Sequence, residues 1–213
     1  MSENIAGIKV PDSAMAKAVT QLVRDTESDL LYHHSRRVFL WAALTGQRRG
    51  LKCDPELLYA GTMFHDMGLT AKYTNLANRF EVDSANAARA FLQSHGISER
   101  EVEQVWTAIA LHTTPGIPEH MHPTIALVTA GVEMDVLGIA YRDFSAEQRD
   151  QVCAHHPRGD AFKERIIDAF NDGMKARPLT TFGTVNADVL ELRDPQFKRQ
   201  NFCTIIRASG WPS

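Results

Sequence analysis

The chain has 213 residues, 44% of them hydrophobic, which is enough for one domain with a sizeable core. Its formal net charge of -3 at pH 7 excludes a broad basic surface for nucleic acid. Its three cysteines, Cys53, Cys153 and Cys203, are far apart, as is typical of reduced thiols in a cytosol. Met1-Ser2-Glu3-Asn4 shows no basic segment that leads into an apolar one, and no apolar run approaches the roughly 18 residues that cross a bilayer. We therefore expect a soluble cytoplasmic protein that binds neither nucleic acid nor membranes.

Apolar residues recur with helical spacing along most of the chain, and no strand-rich region or internal repeat interrupts them. Capping residues, prolines and glycines place the predicted helices at about 13–23, 28–50, 54–68, 83–96, 98–112, 123–138, 145–156 and 160–176. The tail from position 177 mixes Pro, Gly, Thr and Asn with short helical or extended pieces. We predict an all-α bundle of about six to eight helices.

The helix at 54–68 ends in an adjacent histidine and carboxylate. Asp54 is a predicted N-cap, Pro55 suits the first helical position, and Gly68 is predicted to end the helix in a left-handed conformation. His65 shares a stripe with buried apolar side chains, and Asp66, at the helix end, can turn back toward the same point. An imidazole and a carboxylate together suit first-row divalent metals. Taken alone, however, the pair favours a simpler interpretation, a capping Asp beside a partly buried, hydrogen-bonded His.

Two further polar side chains fall on buried helix faces. His34 shares a stripe with Val38 and Trp41, and Asp135 lies among the apolar residues of the helix at 123–138. Burying an unpaired carboxylate costs several kcal/mol, so Asp135 requires a cation or a network of donors. Side chains from three helices are thus predicted to converge on one cation. These predicted ligands are His34, His65, Asp66 and Asp135.

This order, H, then HD, then a distant D, resembles the signature of the HD superfamily of metal-dependent hydrolases. Four segments resemble its cyanamide hydratase-like group: His34-Ser35-Arg36-Arg37-Val38-Phe39, His65-Asp66-Met67-Gly68, Arg79-Phe80-Glu81-Val82-Asp83-Ser84-Ala85 and Glu133-Met134-Asp135-Val136-Leu137-Gly138. The resemblance implies a single HD-type domain over 1–213, with a metal core at about 30–140 and a C-terminal extension at about 141–213. It implies one divalent metal ion. Zinc and iron are favoured, and manganese, cobalt and nickel stay open.

The resemblance also implies an enzyme that adds water to a small substrate, as a hydrolase or a hydratase (lyase). In cyanamide hydration, a metal-bound hydroxide attacks the nitrile carbon and urea is formed. Asp66 is expected both to bind the metal and to accept a proton, and His112 to donate a hydrogen bond or a proton to the substrate. For His112 the alternative, a satisfied histidine near a helix C-terminus, stays open.

Three more side chains are predicted to contact the substrate: Thr70, Lys72 and Arg37. Arg37 and Lys72 suit a phosphate or a carboxylate, although a surface or salt-bridged position is commoner for such side chains. Phe80 stands where relatives with two metals carry a further histidine, so one metal is expected.

Two other functions remain open. The first is that of an HD-type phosphohydrolase acting on a nucleotide or another phosphoester. The second is that of a non-catalytic binding protein that its metal stabilises. The sequence does not identify the substrate, the native metal or the oligomeric state, and a homodimer rests on its general frequency alone.

Overall fold

In a computed structural model, which describes residues 3–211, the chain folds into a bundle of helices around a common core. Within that range the helices are α1 (Ala14–Arg24), α2 (Asp29–Arg49), α3 (Pro55–Phe64), α4 (Phe80–Ser94), α5 (Glu99–Ala110), α6 (Pro123–Val132), α7 (Ala146–His155), α8 (Phe162–Met174), α9 (Asn186–Arg193) and α10 (Phe202–Arg207). Two short strands, β1 (Asn4–Ile5) and β2 (Ile8–Lys9), pair antiparallel ahead of α1. The predicted all-α class is confirmed. The helices beyond the predicted number, α9 and α10, lie in the tail that the sequence left open.

Helix α2 runs through the centre of the bundle, which explains why polar side chains on it are buried. Of its 21 residues, 14 are buried, so both its apolar and its polar positions face other helices. Helix α6 crosses it closely, because Gly131 lacks a side chain. A Cβ there would lie 2.4 Å from the carbonyl oxygen of Val38. This packing places the His34 side chain in the interior.

Helix α3 begins as the sequence predicts, with the Asp54 carboxylate accepting backbone N–H groups and Pro55 as the first residue. Its end differs from the prediction. The α-helix stops at Phe64, His65 is its C-terminal cap, and Gly68 lies in a 3₁₀ turn without a positive φ. The predicted left-handed role of Gly68 is therefore wrong.

Gly68 is instead a close-approach position between the end of α3 and helix α4. A Cβ at Gly68 would lie 2.1 Å from the Phe80 carbonyl oxygen and 2.9 Å from the Ser84 nitrogen. Helix α4 accordingly begins at Phe80, before the predicted start at Asp83. The Asp83 carboxylate is buried and pairs with Arg177 instead of capping the helix.

We expect Gly68→Ala to lower the free energy of unfolding by about 3 kcal/mol, because the new methyl group collides with backbone atoms. Denaturant unfolding of the purified variant measures this effect. Gly210→Ala is the matched control, since a Cβ there meets no atom within 4 Å. Equal stability of the two variants would contradict the close approach.

Helix α8 packs on α9 and on the 3₁₀ turn after α3, and residues from these elements belong to a second apolar cluster. Its buried members are Leu31, Leu69, Phe80, Phe162, Ile166, Met174 and Leu190. This arrangement brings the C-terminal part of the chain beside the end of α3. Among the described residues, no helix combines the length and the apolar character needed to cross a membrane.

Candidate metal centre

Side chains from α2 and from the end of α3 form a buried cluster of metal-ligating atoms. The Nε2 atoms of His34 and His65 are 3.2 Å apart. Oδ2 of Asp66 lies 3.6 Å from Nε2 of His34 and 3.3 Å from Nε2 of His65. Two ligand atoms that are each about 2.0–2.1 Å from one ion lie no more than about 4 Å apart. The three side chains therefore fit a single divalent cation, as predicted from the sequence.

Hydrogen bonds on the far side of each imidazole determine which nitrogen faces the cluster. Nδ1 of His34 donates to Oδ2 of Asp135 at 2.7 Å, and Nδ1 of His65 donates to the Thr62 carbonyl oxygen at 2.7 Å. Because these partners only accept, both Nδ1 atoms carry the proton. Each ring therefore directs the lone pair of Nε2 into the cluster, as a metal ligand requires.

The Asp66 carboxylate is the least satisfied group of the site. Both of its oxygens are buried without a hydrogen-bond donor. Burial raises the pKa of Asp66, but the neighbouring imidazoles, above all the adjacent His65, outweigh it and lower the pKa to about 2. A buried ionised carboxylate without donors is unfavourable unless a cation compensates it. This carboxylate is the strongest indication of a bound metal ion.

A proton competes with a metal ion for His65. Burial lowers the pKa of His65, but the adjacent Asp66 carboxylate and the Thr62 carbonyl raise it more, so the pKa lies above its ordinary value. Below that pKa each bound metal must displace one proton, so we expect zinc affinity to fall about tenfold per pH unit. Calorimetric titration between about pH 5 and about pH 8 measures this dependence. An affinity independent of pH would contradict it.

His112 approaches Asp66 from the end of α5. Its Nδ1 donates to the Ile109 carbonyl oxygen at 2.6 Å, and its Nε2 lies 3.7 Å from Oδ1 of Asp66. Burial and the neighbouring His65 lower the pKa of His112 to about 4, against the opposing effect of Asp66. The ring is therefore neutral at pH 7, with a free lone pair on Nε2. The structure brings His112 to the cluster, and only one of its two nitrogens is satisfied by the helix.

Asp135, the predicted fourth ligand, does not join the cluster. Its oxygens accept hydrogen bonds at 2.7–3.1 Å, one from Nδ1 of His34 and the others from Arg37, Trp41 and Arg158. The sequence required a cation or a network of donors for this buried carboxylate, and the structure supplies the donors. We therefore reassign Asp135 from metal ligand to hydrogen-bond partner of His34. Three protein ligands leave coordination positions open for water and substrate.

We expect Asp135→Asn to weaken metal affinity about 10–100-fold without abolishing binding, because Asp135 orients the His34 ring but does not touch the ion. Competition with a chelator of known affinity measures the change. In the same assay His34→Ala should lose the metal completely. Complete loss in folded Asp135→Asn would restore the ligand assignment.

The three predicted substrate contacts lie elsewhere. Arg37 is fully buried and forms an ion pair with Asp135, so the salt-bridged alternative describes it. The Thr70 hydroxyl donates to the Met67 carbonyl oxygen, and Lys72 is exposed. None of these three residues lines the cavity at the metal site. Their proximity to the HD pair in sequence did not place them beside it in space.

A cavity of about 520 Å³ extends from the cluster, and His65, Asp66 and His112 line its buried end. Apolar side chains from the end of α6 and from the α8 and α9 region form most of its wall: Val132, Val136, Leu137, Phe162, Ile166, Ile167, Phe170, Val185 and Val189. Its other polar lining residues are Thr113, Glu133, Lys163, Asn186 and Asp188. Sequence reasoning missed this wall because helical periodicity identifies an apolar face without showing what it covers.

A helical bundle with a buried cluster of imidazoles and a carboxylate, open to a cavity, is an arrangement that can hold a metal ion. The HD domain family matches residues 31–166, and the chain belongs to that family. The matched region contains the cluster residues His34, His65 and Asp66, together with His112 and Asp135. HD domain proteins are generally metal-dependent hydrolases. A search of curated proteins found no significant match.

Proposed function

We propose that this protein is a metal-dependent enzyme that adds water to a small uncharged substrate, with hydration of a nitrile of the cyanamide type as the favoured reaction. The Asp66 carboxylate carries the proposal, since its oxygens are buried without donors beside the Nε2 atoms of His34 and His65. The resemblance to the cyanamide hydratase-like group supports the choice of a nitrile. Water adds across the carbon–nitrogen triple bond to give an amide, which is urea in the case of cyanamide.

His34, His65 and Asp66 would hold a divalent ion, most simply zinc or iron. Such an ion supplies Lewis acidity and lowers the pKa of a bound water from about 15.7 to about 7. Asp66 directs Oδ2 toward the two imidazoles and Oδ1 toward His112. One oxygen is thus placed to bind the ion, and the other to accept or pass on a proton.

His112 is suited to move a proton between water and substrate. In its neutral form Nδ1 is committed to the Ile109 carbonyl, so Nε2 acts first as an acceptor. The sequence-based expectation of a donor therefore applies only after Nε2 has taken up a proton. Its lowered pKa favours release of that proton to the substrate nitrogen.

A phosphohydrolase is less well supported by the surroundings of the cluster. Phosphate sites generally use arginine or lysine side chains and backbone N–H groups to bind the charged oxygens. Within residues 3–211, no arginine lines the cavity, and the lysine that does, Lys163, is exposed. Arg37 and Arg158 form ion pairs with Asp135, which bonds to the predicted ligand His34.

The test is a metal analysis combined with two product assays. We expect about one metal ion per chain, with formation of urea from cyanamide that a chelator stops and added metal restores. His112→Ala should lower turnover at least about 100-fold at unchanged metal content. His120→Ala, which removes an exposed histidine, is the control.

Two results would overturn the proposal. Release of phosphate from nucleoside monophosphates without formation of urea would support the phosphohydrolase. Metal binding that raises the melting temperature, with neither product formed, would support a non-catalytic role.

A further inference from the structure

We infer that the substrate carries an aliphatic or aromatic body, which the cavity beside α8 and α9 holds while the reacting group lies at the metal centre. This inference rests on the proposed function, because it assigns the reacting group to the cluster. It extends that function from cyanamide, which has only a few atoms, to larger substituted nitriles or cyanamides.

The size of the cavity is the first argument. Its volume of about 520 Å³ falls within the roughly 300–1,000 Å³ of pockets that enclose drug-sized ligands. Cyanamide would leave most of that space to water against apolar walls. A substrate with an attached apolar group would displace this water and gain binding energy from the same walls.

The apolar wall also continues up to the cluster itself. The Phe162 ring centroid lies 6.2 Å from that of His34. Phe170, on the same wall, packs on the buried Phe80 ring with their centroids 6.2 Å apart, and the Phe80 ring, which does not itself line the cavity, lies 5.5 Å from the His112 ring. A group attached to the reacting atoms at Asp66 therefore extends along an apolar wall.

Charge argues against an anionic substrate. Glu133 and Asp188 line the cavity with one lysine, Lys163, so its lining carries an excess of negative charge even without Asp66. The guanidinium groups of Arg37 and Arg158 lie over the Phe162 ring, 4.9 Å and 3.9 Å from its centroid, but neither lines the cavity. The body of the substrate is accordingly not anionic.

A series of alkyl hydroxamic acids tests the inference, since all members share one metal-binding headgroup and differ only in chain length. Binding of acetohydroxamate, butyrohydroxamate and hexanohydroxamate to the zinc-loaded protein is measured by calorimetry, without any assay of activity. We expect about fourfold tighter binding for each added methylene, until the cavity is filled. If all three acids bind with the same affinity, the inference is wrong and the metal assignment stands.

Variants of the cavity wall test where the alkyl chain of the hydroxamate binds. Ile167→Asn places an amide on the cavity wall and should remove most of the gain from acetohydroxamate to hexanohydroxamate. Ile139→Asn, at a half-exposed isoleucine outside the cavity, should leave the gain unchanged. Val189→Asn, on the α9 wall, serves if Ile167→Asn does not fold. A gain that survives in the folded wall variants would also overturn the inference.

If the proposed metal site is wrong, the hydroxamate series gives a different result from the one that overturns the inference. If none of the hydroxamates binds, the proposed function fails, and the cavity is tested alone with the metal-free protein. 1-Hexanol should then raise the melting temperature more than ethanol in the wild type, and less in Ile167→Asn. Equal effects of the two alcohols would overturn the inference.

Discussion

His65→Ala should abolish metal binding and reduce turnover to the metal-free rate, while the protein remains folded. The variant loses the Nε2 atom that lies 3.2 Å from Nε2 of His34 and 3.3 Å from the Asp66 carboxylate. One imidazole and one carboxylate are too few ligands to hold a catalytic divalent ion. Elemental analysis should find the metal content falling from about one per chain to nearly zero.

His95→Ala is the matched control for this variant. Both histidines cap the C-terminus of a helix, and both bond through Nδ1 to a backbone carbonyl, His65 to Thr62 and His95 to Phe91. His95 is exposed and contributes nothing to the cluster. Its removal should leave metal content and turnover unchanged. Retention of a full metal complement in His65→Ala would refute the proposed site.

Arg37→Ala should lower the free energy of unfolding by about 3–5 kcal/mol, the usual cost of breaking a buried ion pair from one side. The Arg37 guanidinium donates to both oxygens of Asp135 and to the carbonyl oxygens of His156 and Pro157. Its loss leaves these buried acceptors short of donors. Denaturant unfolding of the metal-free protein isolates this effect from any change in metal affinity.

Arg48→Ala provides the comparison on the same helix. Arg48 also pairs with an aspartate, Asp143, but the two side chains are 34% and 47% exposed. Such pairs contribute at most about 1 kcal/mol, because water solvates both charges when the pair is broken. A similar loss of stability in the two variants would show that burial of the Arg37 pair has no energetic weight.

Local sequence was sufficient to predict most of the helices. Hydrophobic spacing locates most of them, and short-range capping sets several of their ends, as at Asp54 and in the Ser98–Glu101 capping box. The predicted helix ends were wrong where they depend on contacts with a distant part of the chain. Gly68 and Asp83 both looked like local end signals, but the first makes room for the α4 backbone and the second pairs with a distant arginine.

Part of the candidate site could likewise be predicted from the sequence, and part could not. His65 and Asp66 are neighbours in the chain, and His34 occupies a buried stripe, so residue type and spacing alone suggested that they share a cation. The burial of Asp135 was equally predictable, since it lies on an apolar face. The partner of the Asp135 carboxylate could not be predicted, because a cation and a set of donors satisfy a buried carboxylate equally well. The structure shows that donors satisfy this carboxylate, and they come from Arg37, Trp41 and Arg158.

By itself the sequence thus determined an all-helical bundle, because helices follow from residue spacing within single segments, and the resemblance to the HD superfamily indicated most of the metal-binding group. Only the tertiary structure decided that Asp135 supports His34, that Thr70, Lys72 and Arg37 lie away from the cavity, and that α8 and α9 provide an apolar wall. These features depend on contacts between residues about a hundred positions apart. Such contacts arise from the packing of whole helices, which no local pattern encodes.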